Sequence, residues 1–563
     1  MNFCLLIALG IFRSVLIPVQ FEDLKFTCSQ EDIVSYAKGT EEYFNTQLPS
    51  GSSISVDIAP MVELPGQFSY YGANSGTRHD ALIYKFVTEA CRLADAQVDF
   101  SQYDPEGNFE VPAVLLLVPG PSEAEGAGEN YFWPCQADLA DDNVSLVLDG
   151  RRIRRYCISN EDGRTGTLCH EFGHLLGLPD FYDTDNGGSG GVSPGMYGTL
   201  AIMDKGNRNG SHMTPPYLNA VERELLGFDG GLLLETGPHT LAPIGRSGMY
   251  YRFNSSEENE YFLIECRHAE GFDRYIGGSG LVIYHIDKTG RDKGYSDYFK
   301  ENLSAERRWE YNEINCRPGS ECAMLVSADP AATDASGVFF GTAGHTSFSS
   351  GSTPSFAFHD GSVSSLALTD IRLNPDGSVS FNVTEPLVIT SVASYQDAAI
   401  VSWETHTDTG EISYYEVGWY ADGEKIKLSE KIGPSADGVQ SYIIDKLKPG
   451  TDYTVVIRVM NKNQTSYSQV KNFSTRSYND KIRPFIYLND VERNPDGSFP
   501  SGARIPLRLY NFPGPEVEWY LDRDRIKPGP DGYYTLTRSG TLRALVTLKD
   551  GSTEVFLKEV TVR

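Results

Sequence analysis

Residues 170–183 read HEFGHLLGLPDFYD, a run whose residue types and spacing suit metal chemistry. His170 and His174 are four apart, so on a helix their imidazoles share one face about one turn apart. That separation suits two ligands of one tetrahedral zinc ion. Glu171 flanks the same face, placed to take a proton from a metal-activated water without itself being a ligand. Gly177 can take up the left-handed conformation that ends a helix, and Pro179 stiffens the exit. Asp180 can then return as the third ligand, leaving a fourth position for water. A bare HExxH also arises by chance on helices; Gly177 and Asp180 at fixed offsets make this one specific. Leu175, Leu176 and Leu178 read as core anchors, and Cys169 as a small buried residue rather than a ligand.

Three further groups belong to the same reading. Met203, in GTLAIMDKG from Gly198, is placed to form a Met-turn, a soft apolar floor beneath the metal. Asp104, Glu106, Asn108 and Glu110 alternate around a glycine turn, as the oxygen ligands of a calcium loop do, with Pro112 where a further acid is expected. A solvated turn has the same composition. Asp183, Asp185 and Asn186 follow the zinc motif directly, where calcium would brace the loop that carries Asp180; a plain acidic loop is the alternative.

These residues need elements to position them. Arg13–Phe21 reads as a first strand, Asp32–Leu48 as a loosely amphipathic helix, and Arg78–Asp95 as a clearer one with Leu82, Ile83, Phe86, Val87, Ala90 and Leu93 on one face. Val111–Val118 is a continuous apolar strand buried on both faces, and Thr165–Leu176 is the helix that carries the motif. Alternating strands and helices imply an α/β sheet. From Gly231 to about Val383 short alternating runs between Gly, Ser and Asp clusters predict an antiparallel β region without helix. Pro386–Ser477 resembles a fibronectin type III domain, with Trp403 in its core and Tyr453 at the corner before a late strand. Tyr478–Arg563 reads as a small immunoglobulin-like β-sandwich. The expected domains are therefore 13–230 (catalytic), 231–385 (β-rich subdomain), 386–477 and 478–563.

Composition narrows the function. A chain of 563 residues exceeds one hydrophobic core, in keeping with several domains. A formal net charge of -28 repels phosphate backbones, which argues against a nucleic-acid partner. Apart from Met1–Phe12, read as a shortened signal or the remnant of a longer precursor, apolar runs are short, and none is long enough to cross a bilayer. The nine cysteines contain no CxxC pair, which argues against a thiolate zinc site. Cys316 and Cys322 lie close enough to bridge, although spacing does not show that they do.

Beside HEFGHLLGLPDFYD stand VLIPVQFEDLKF from Val15, VDFSQYDPEGN from Val98, PPYLNAVERELLGF from Pro215, FLIECRHAEGFDRYIGGSGLVIYHID from Phe262 and STPSF from Ser352. On this ordered set the chain resembles the immune-inhibitor-A-like secreted bacterial metallopeptidases over roughly 13–383, and its zinc motif is similar to that of snapalysin. The resemblance implies an α/β zincin-type (metzincin-like) core, a β subdomain behind it, zinc with calcium as an accessory ion, and endoproteolysis outside the cell. It further implies a bacterial protein that is secreted, cell-surface or periplasmic, with protein or peptide substrates, host extracellular or glycosylated proteins among them; a monomer is expected. Several related clans carry a Tyr two residues past the turn Met; here Lys205 stands there, so no oxyanion residue is assigned. Two other readings stay open: an inactive peptidase fold serving as an adhesin, and a zinc hydrolase of non-peptidic amides.

Overall fold

The computed structural model describes residues 11–563 except 77, 194, 197, 256–258, 333, 343, 360–363, 386, 406–411, 422–426, 436–438, 463–465, 480–481, 489–490, 513–516, 530 and 548–550. Most of the expected signal remnant, residues 1–10, lies outside the described residues. The chain divides into two compact units, 1–347 with 369–382, and 348–368 with 383–563.

The first unit is built on a six-stranded sheet in the order Ser53–Ile58, Ile11–Phe21, Val114–Val118, Arg155–Asn160 and Cys135–Asp138, with Val62–Leu64 also pairing with Ile11–Phe21. All pairings are parallel except that of Cys135–Asp138, which runs antiparallel at the edge. Because side chains alternate along a strand, the central strands feed two cores. Phe12, Leu16, Leu115 and Leu117 face the helices Gln30–Asn45 and Arg164–Leu175. Val15, Ile17, Val19, Val114, Leu116 and Val118 face the helix Ile83–Ala94. Phe172 fastens the motif helix to the sheet through Phe12 and to the helix Gln30–Asn45 through Phe44, with ring centroids 5.0 Å and 5.1 Å away.

Local chemistry moves several expected boundaries. The first helix starts at Gln30 because Ser29 and Asp32 form a reciprocal capping box. The next begins at Ile83, not Arg78: Asp80 adopts a positive φ of 44° while its amide donates to Asn74 Oδ1 and its carboxylate accepts from the Trp133 amide. Leu93, expected on the apolar face, is exposed. The run 111–118 is broken into Glu110–Val111 and Val114–Val118, consistent with Pro112, which has no amide hydrogen to continue a ladder.

Residues beyond Gly231 supply a second sheet in the order Gly231–Leu233, Tyr250–Asn254, Glu260–Arg267, Gly280–Asp287 and Ala323–Val326. It is antiparallel apart from the parallel pairing of its first two strands. The expectation of no helix here is corrected by two short ones. Ile244–Ser247 ends at left-handed Gly248, and Ala305–Glu310 is capped by Ser304, whose side chain accepts from the Arg307 amide. All described cysteines are free thiols, Cys316 and Cys322 included.

The second unit is all β. One sandwich has sheets ordered Leu387–Ser394, Ala398–Thr405, Val439–Asp445 and Lys427–Leu428, Ile412–Ala421, Asp452–Asn461, Ser466–Ser474. Trp403 is fully buried at its centre, and the Tyr453 hydroxyl accepts from the Lys448 amide at 2.9 Å, a tyrosine corner. The last segment has one four-stranded and two two-stranded antiparallel sheets around Trp519, Leu521 and Leu542. No described helix is long and apolar enough to cross a membrane.

Candidate metal centre

Arg164–Leu175 is a buried helix, and it presents His170 and His174 on one face with ring centroids 4.9 Å apart. Gly177 ends the run at φ 98°, with the Gly177 amide donating to His174 O and the Leu178 amide to Gly173 O. This reversal brings Asp180 back: its Oδ1 lies 3.3 Å from Nε2 of both histidines. Each imidazole uses its other nitrogen on a backbone carbonyl, His170 Nδ1 on Ile202 O and His174 Nδ1 on Leu178 O, both at 2.8 Å. Those bonds make Nδ1 the donor and leave Nε2 of each ring facing the shared oxygen.

Two histidine nitrogens and a carboxylate oxygen around one point form a donor set suited to zinc. Asp180 Oδ1 is buried without a hydrogen-bond partner, a cost that a cation would relieve. Burial and mutual charge both act on these groups. Burial opposes charge on Asp180, but His174 and His170 hold its carboxyl well below the usual carboxylate range. Burial likewise opposes charge on His174, yet Asp180 lifts it to about 9. Glu171 is buried, and burial raises its carboxyl despite the two histidines. All four line a cleft of about 590 Å³.

The floor of the site is a close approach of backbones. Met203 is fully buried under the helix, and a Cβ at Gly173 would stand 2.6 Å from its sulfur. A Cβ at Gly166 would meet Asn207 O at 1.8 Å. Two glycines inside a helix each cost about 1 kcal/mol relative to alanine, and here both are needed for the passing chain. Met203 is tied down through its amide, which donates to Glu222 Oε1 at 3.2 Å, and its carbonyl, which accepts from the Phe181 amide at 2.8 Å. Burial lifts the Glu222 carboxyl to about 7.

Neither set of calcium candidates finds support. In 104–110, Asp104 accepts from the amides of Asn108 and Phe109 and pairs with Arg151 at 2.6 Å, while the Asn108 amide group donates to Glu106. The alternating acids thus close a turn on itself. Asp183 and Asp185 do approach each other, but their third neighbour is the Cys316 thiol, a poor partner for a hard cation. Their oxygens accept from the amides of Asp185, Ser193 and Gly187 and from the Ser189 hydroxyl.

The structure adds further residues to the site. Asn312 bonds to Asp180 at both backbone and side chain. Tyr182 lines the cleft with its ring 6.4 Å from and nearly parallel to His170. Burial first, then the charges of Asp180 and Glu171, raise its phenol. The edge strand contributes Cys135 and Gln136 to the cleft, beside Trp133 and Pro134. Lys205 lines it too. Tyr182, two residues past the third ligand, was readable as a candidate; Asn312 was not.

A parallel-sheet core whose buried helix and glycine bend converge two imidazoles and a carboxylate forms a candidate metal centre. Residues 136–224 match the family model of the immune inhibitor A peptidase M6 catalytic domain, the resemblance read from the motifs. The chain is 30% identical over 182 residues to "Immune inhibitor A" of Bacillus thuringiensis subsp. alesti, covering 27% of this chain and 26% of that one. It is 29% identical over 224 residues to "Pre-pro-metalloprotease PrtV" of Vibrio cholerae, covering 34% and 24%. The matches thus span about a quarter of the length of these relatives. Residues 384–473 match the fibronectin type III family model. A solved fn3 domain of the human collagen alpha-1(XX) chain is 19% identical over 18% of this chain and 88% of that one, at a TM-score of 0.15.

Proposed function

We propose that this chain is a zinc endopeptidase of the zincin type that cleaves protein substrates outside a bacterial cell. The observation that carries it is the approach of His170 Nε2 and His174 Nε2 to one unpartnered oxygen of Asp180, at 3.3 Å each. Held by these three residues, zinc would supply Lewis acidity toward the scissile carbonyl and a lowered pKa for the attacking water. Glu171, buried in the same cleft, accepts the proton of that water and returns it to the leaving amine. The edge strand Cys135–Asp138 offers backbone groups along which an extended substrate aligns as an added strand. Tyr182 donates its hydroxyl to the oxyanion that develops on the carbonyl, the role Lys205 does not fill in this reading. The family match over 136–224 and the named metalloprotease relative support the assignment. Export and extracellular protein substrates follow from that likeness, and the two β modules of the second unit serve as spacers or anchors.

The test is casein digestion by the purified chain, followed with and without a zinc chelator. Cleavage that stops on chelation and returns with one equivalent of zinc is expected. Cleavage indifferent to chelation, or one bound zinc with casein and mixed peptides left intact, would overturn the endopeptidase reading.

A further inference from the structure

The loop that returns Asp180 to the helix is gripped from two sides. On one side the Phe181 amide donates to Met203 O at 2.8 Å, within the segment that follows the motif. On the other side stands a stretch 132 residues downstream in the chain. There the Asn312 side chain uses both ends of its amide on Asp180. Its Oδ1 accepts from the Asp180 backbone amide at 2.7 Å, and its Nδ2 donates to Asp180 Oδ2 at 2.8 Å. The Asn312 carbonyl accepts from Thr184 Oγ1 at 2.9 Å, and Asn315 Nδ2 donates to Phe181 O at 2.9 Å.

We propose that Asn312 is a positioning residue of the metal centre: it selects which oxygen of Asp180 serves as the ligand and holds that carboxylate in plane. This rests on the zinc reading above. A free aspartate has two equivalent oxygens and two rotatable bonds, so an unheld side chain loses freedom whenever it binds an ion. Here Oδ2 is occupied by a neutral donor and Oδ1 is left bare, facing both Nε2 atoms. The ligand is thereby presented by one oxygen before any ion arrives, and the entropy of choosing is removed from the binding step.

The residue type fits the task. Asn312 follows the short helix Ala305–Glu310 at φ 57°, a left-handed conformation that Asn, Asp and Gly tolerate. Only Asn among these offers a donor and an acceptor on one planar group. An aspartate there would still accept the Asp180 amide, but it would set a second carboxylate against Oδ2. The structure therefore makes the β-rich part of the first unit a contributor to the metal site rather than a support behind it.

The experiment uses the full chain, stripped of metal, with zinc affinity read by competition with a chromophoric chelator. Asn312→Asp keeps the backbone conformation and the acceptor but removes the donor; Asn312→Gly keeps the backbone conformation and removes the whole side chain. Each is expected to weaken zinc binding by about 10-fold or more, the scale for partners that orient metal ligands. Thr184→Val cuts another bond between the same two loops without touching the carboxylate, and is expected to stay within about 3-fold of wild type. A merely structural role for Asn312 predicts instead that Thr184→Val and Asn312→Asp shift affinity alike, which would overturn the proposal. So would wild-type affinity in both Asn312 variants; if Asn312→Gly does not fold, Asn312→Asp decides. Wild type and His174→Ala report on the zinc reading itself. No zinc uptake by wild type fells both readings, whereas uptake by wild type and equally by the Asn312 variants fells this one alone.

Discussion

The two units of the chain treat buried charge in opposite ways. In the first, Glu171, Asp180, Glu222, Glu265, Arg267, Asp273 and Arg308 are all buried. Arg267, fully buried, donates to Asp273 and Glu265 and also to the carbonyls of Leu200 and Tyr217. In the second, the buried polar residues among those described are uncharged, Gln396, Gln440 and Asn511 for example, and ion pairs such as Arg538 with Asp522 and Asp524 stand at the surface. Buried charges cost stability unless fully partnered. Of these, Glu222 accepts from the Met203 amide and Arg267 donates to the Leu200 carbonyl, in the segment beneath the candidate site. The β modules are held by apolar packing around Trp403 and Trp519.

That contrast can be broken by experiment. The largest effect is expected at Glu171. Glu171→Gln should lower casein hydrolysis by about 10²- to 10⁴-fold while one zinc stays bound. Loss of zinc along with activity would return Glu171 to a structural role. Next come two core lesions of similar size but different reach. Arg267→Ala leaves Asp273 and Glu265 buried without a partner and should destabilise the first unit by about 3–5 kcal/mol. It should also weaken zinc binding, because the Leu200 carbonyl loses its donor. Trp403→Ala should cost about 3–5 kcal/mol in its own sandwich and leave zinc affinity unchanged. Calorimetric unfolding with zinc titration separates the two; equal effects on zinc would erase the contrast.

The last test concerns pH. Burial lifts the Asp80 carboxyl from its ordinary range to about 8. The folded chain keeps that proton after the unfolded chain has released it near pH 4. The associated stability is therefore present below about pH 4 and lost as pH rises through 8, by at most about 1.4 kcal/mol per pH unit. Asp80→Asn should flatten the pH dependence of first-unit unfolding between pH 5 and 8. The second unit, with no buried carboxylate among its described residues, should respond little to either change. A variant that unfolds with the wild-type pH slope would show that Asp80 does not carry this linkage.

Much of the centre was legible because it is local. The spacing of His170, Glu171 and His174 follows from 3.6 residues per turn, and Gly177 with Asp180 encodes a bend whose reach a short peptide determines. Met203 needed the motif upstream to stand out from ordinary core. The calcium expectation found no support for a related reason. Alternating acids specify oxygens but not what those oxygens face, and Asp104 faces backbone amides and Arg151. The glycines at 166 and 173 are a local signal of the same kind, since glycine inside a helix implies something close beside it.

From sequence alone came the candidate ligand set, the helix that bears it, the order of α/β and β segments, and the fibronectin-like module, all governed by periodicity and short-range turns. Only the tertiary structure decided that Asn312 clamps Asp180, that Glu222 holds the Met203 amide, and that Cys135–Asp138 forms an antiparallel edge beside the cleft. The physical reason is distance along the chain. A hydrogen bond spanning 132 residues depends on how separate elements pack, and no local pattern records it.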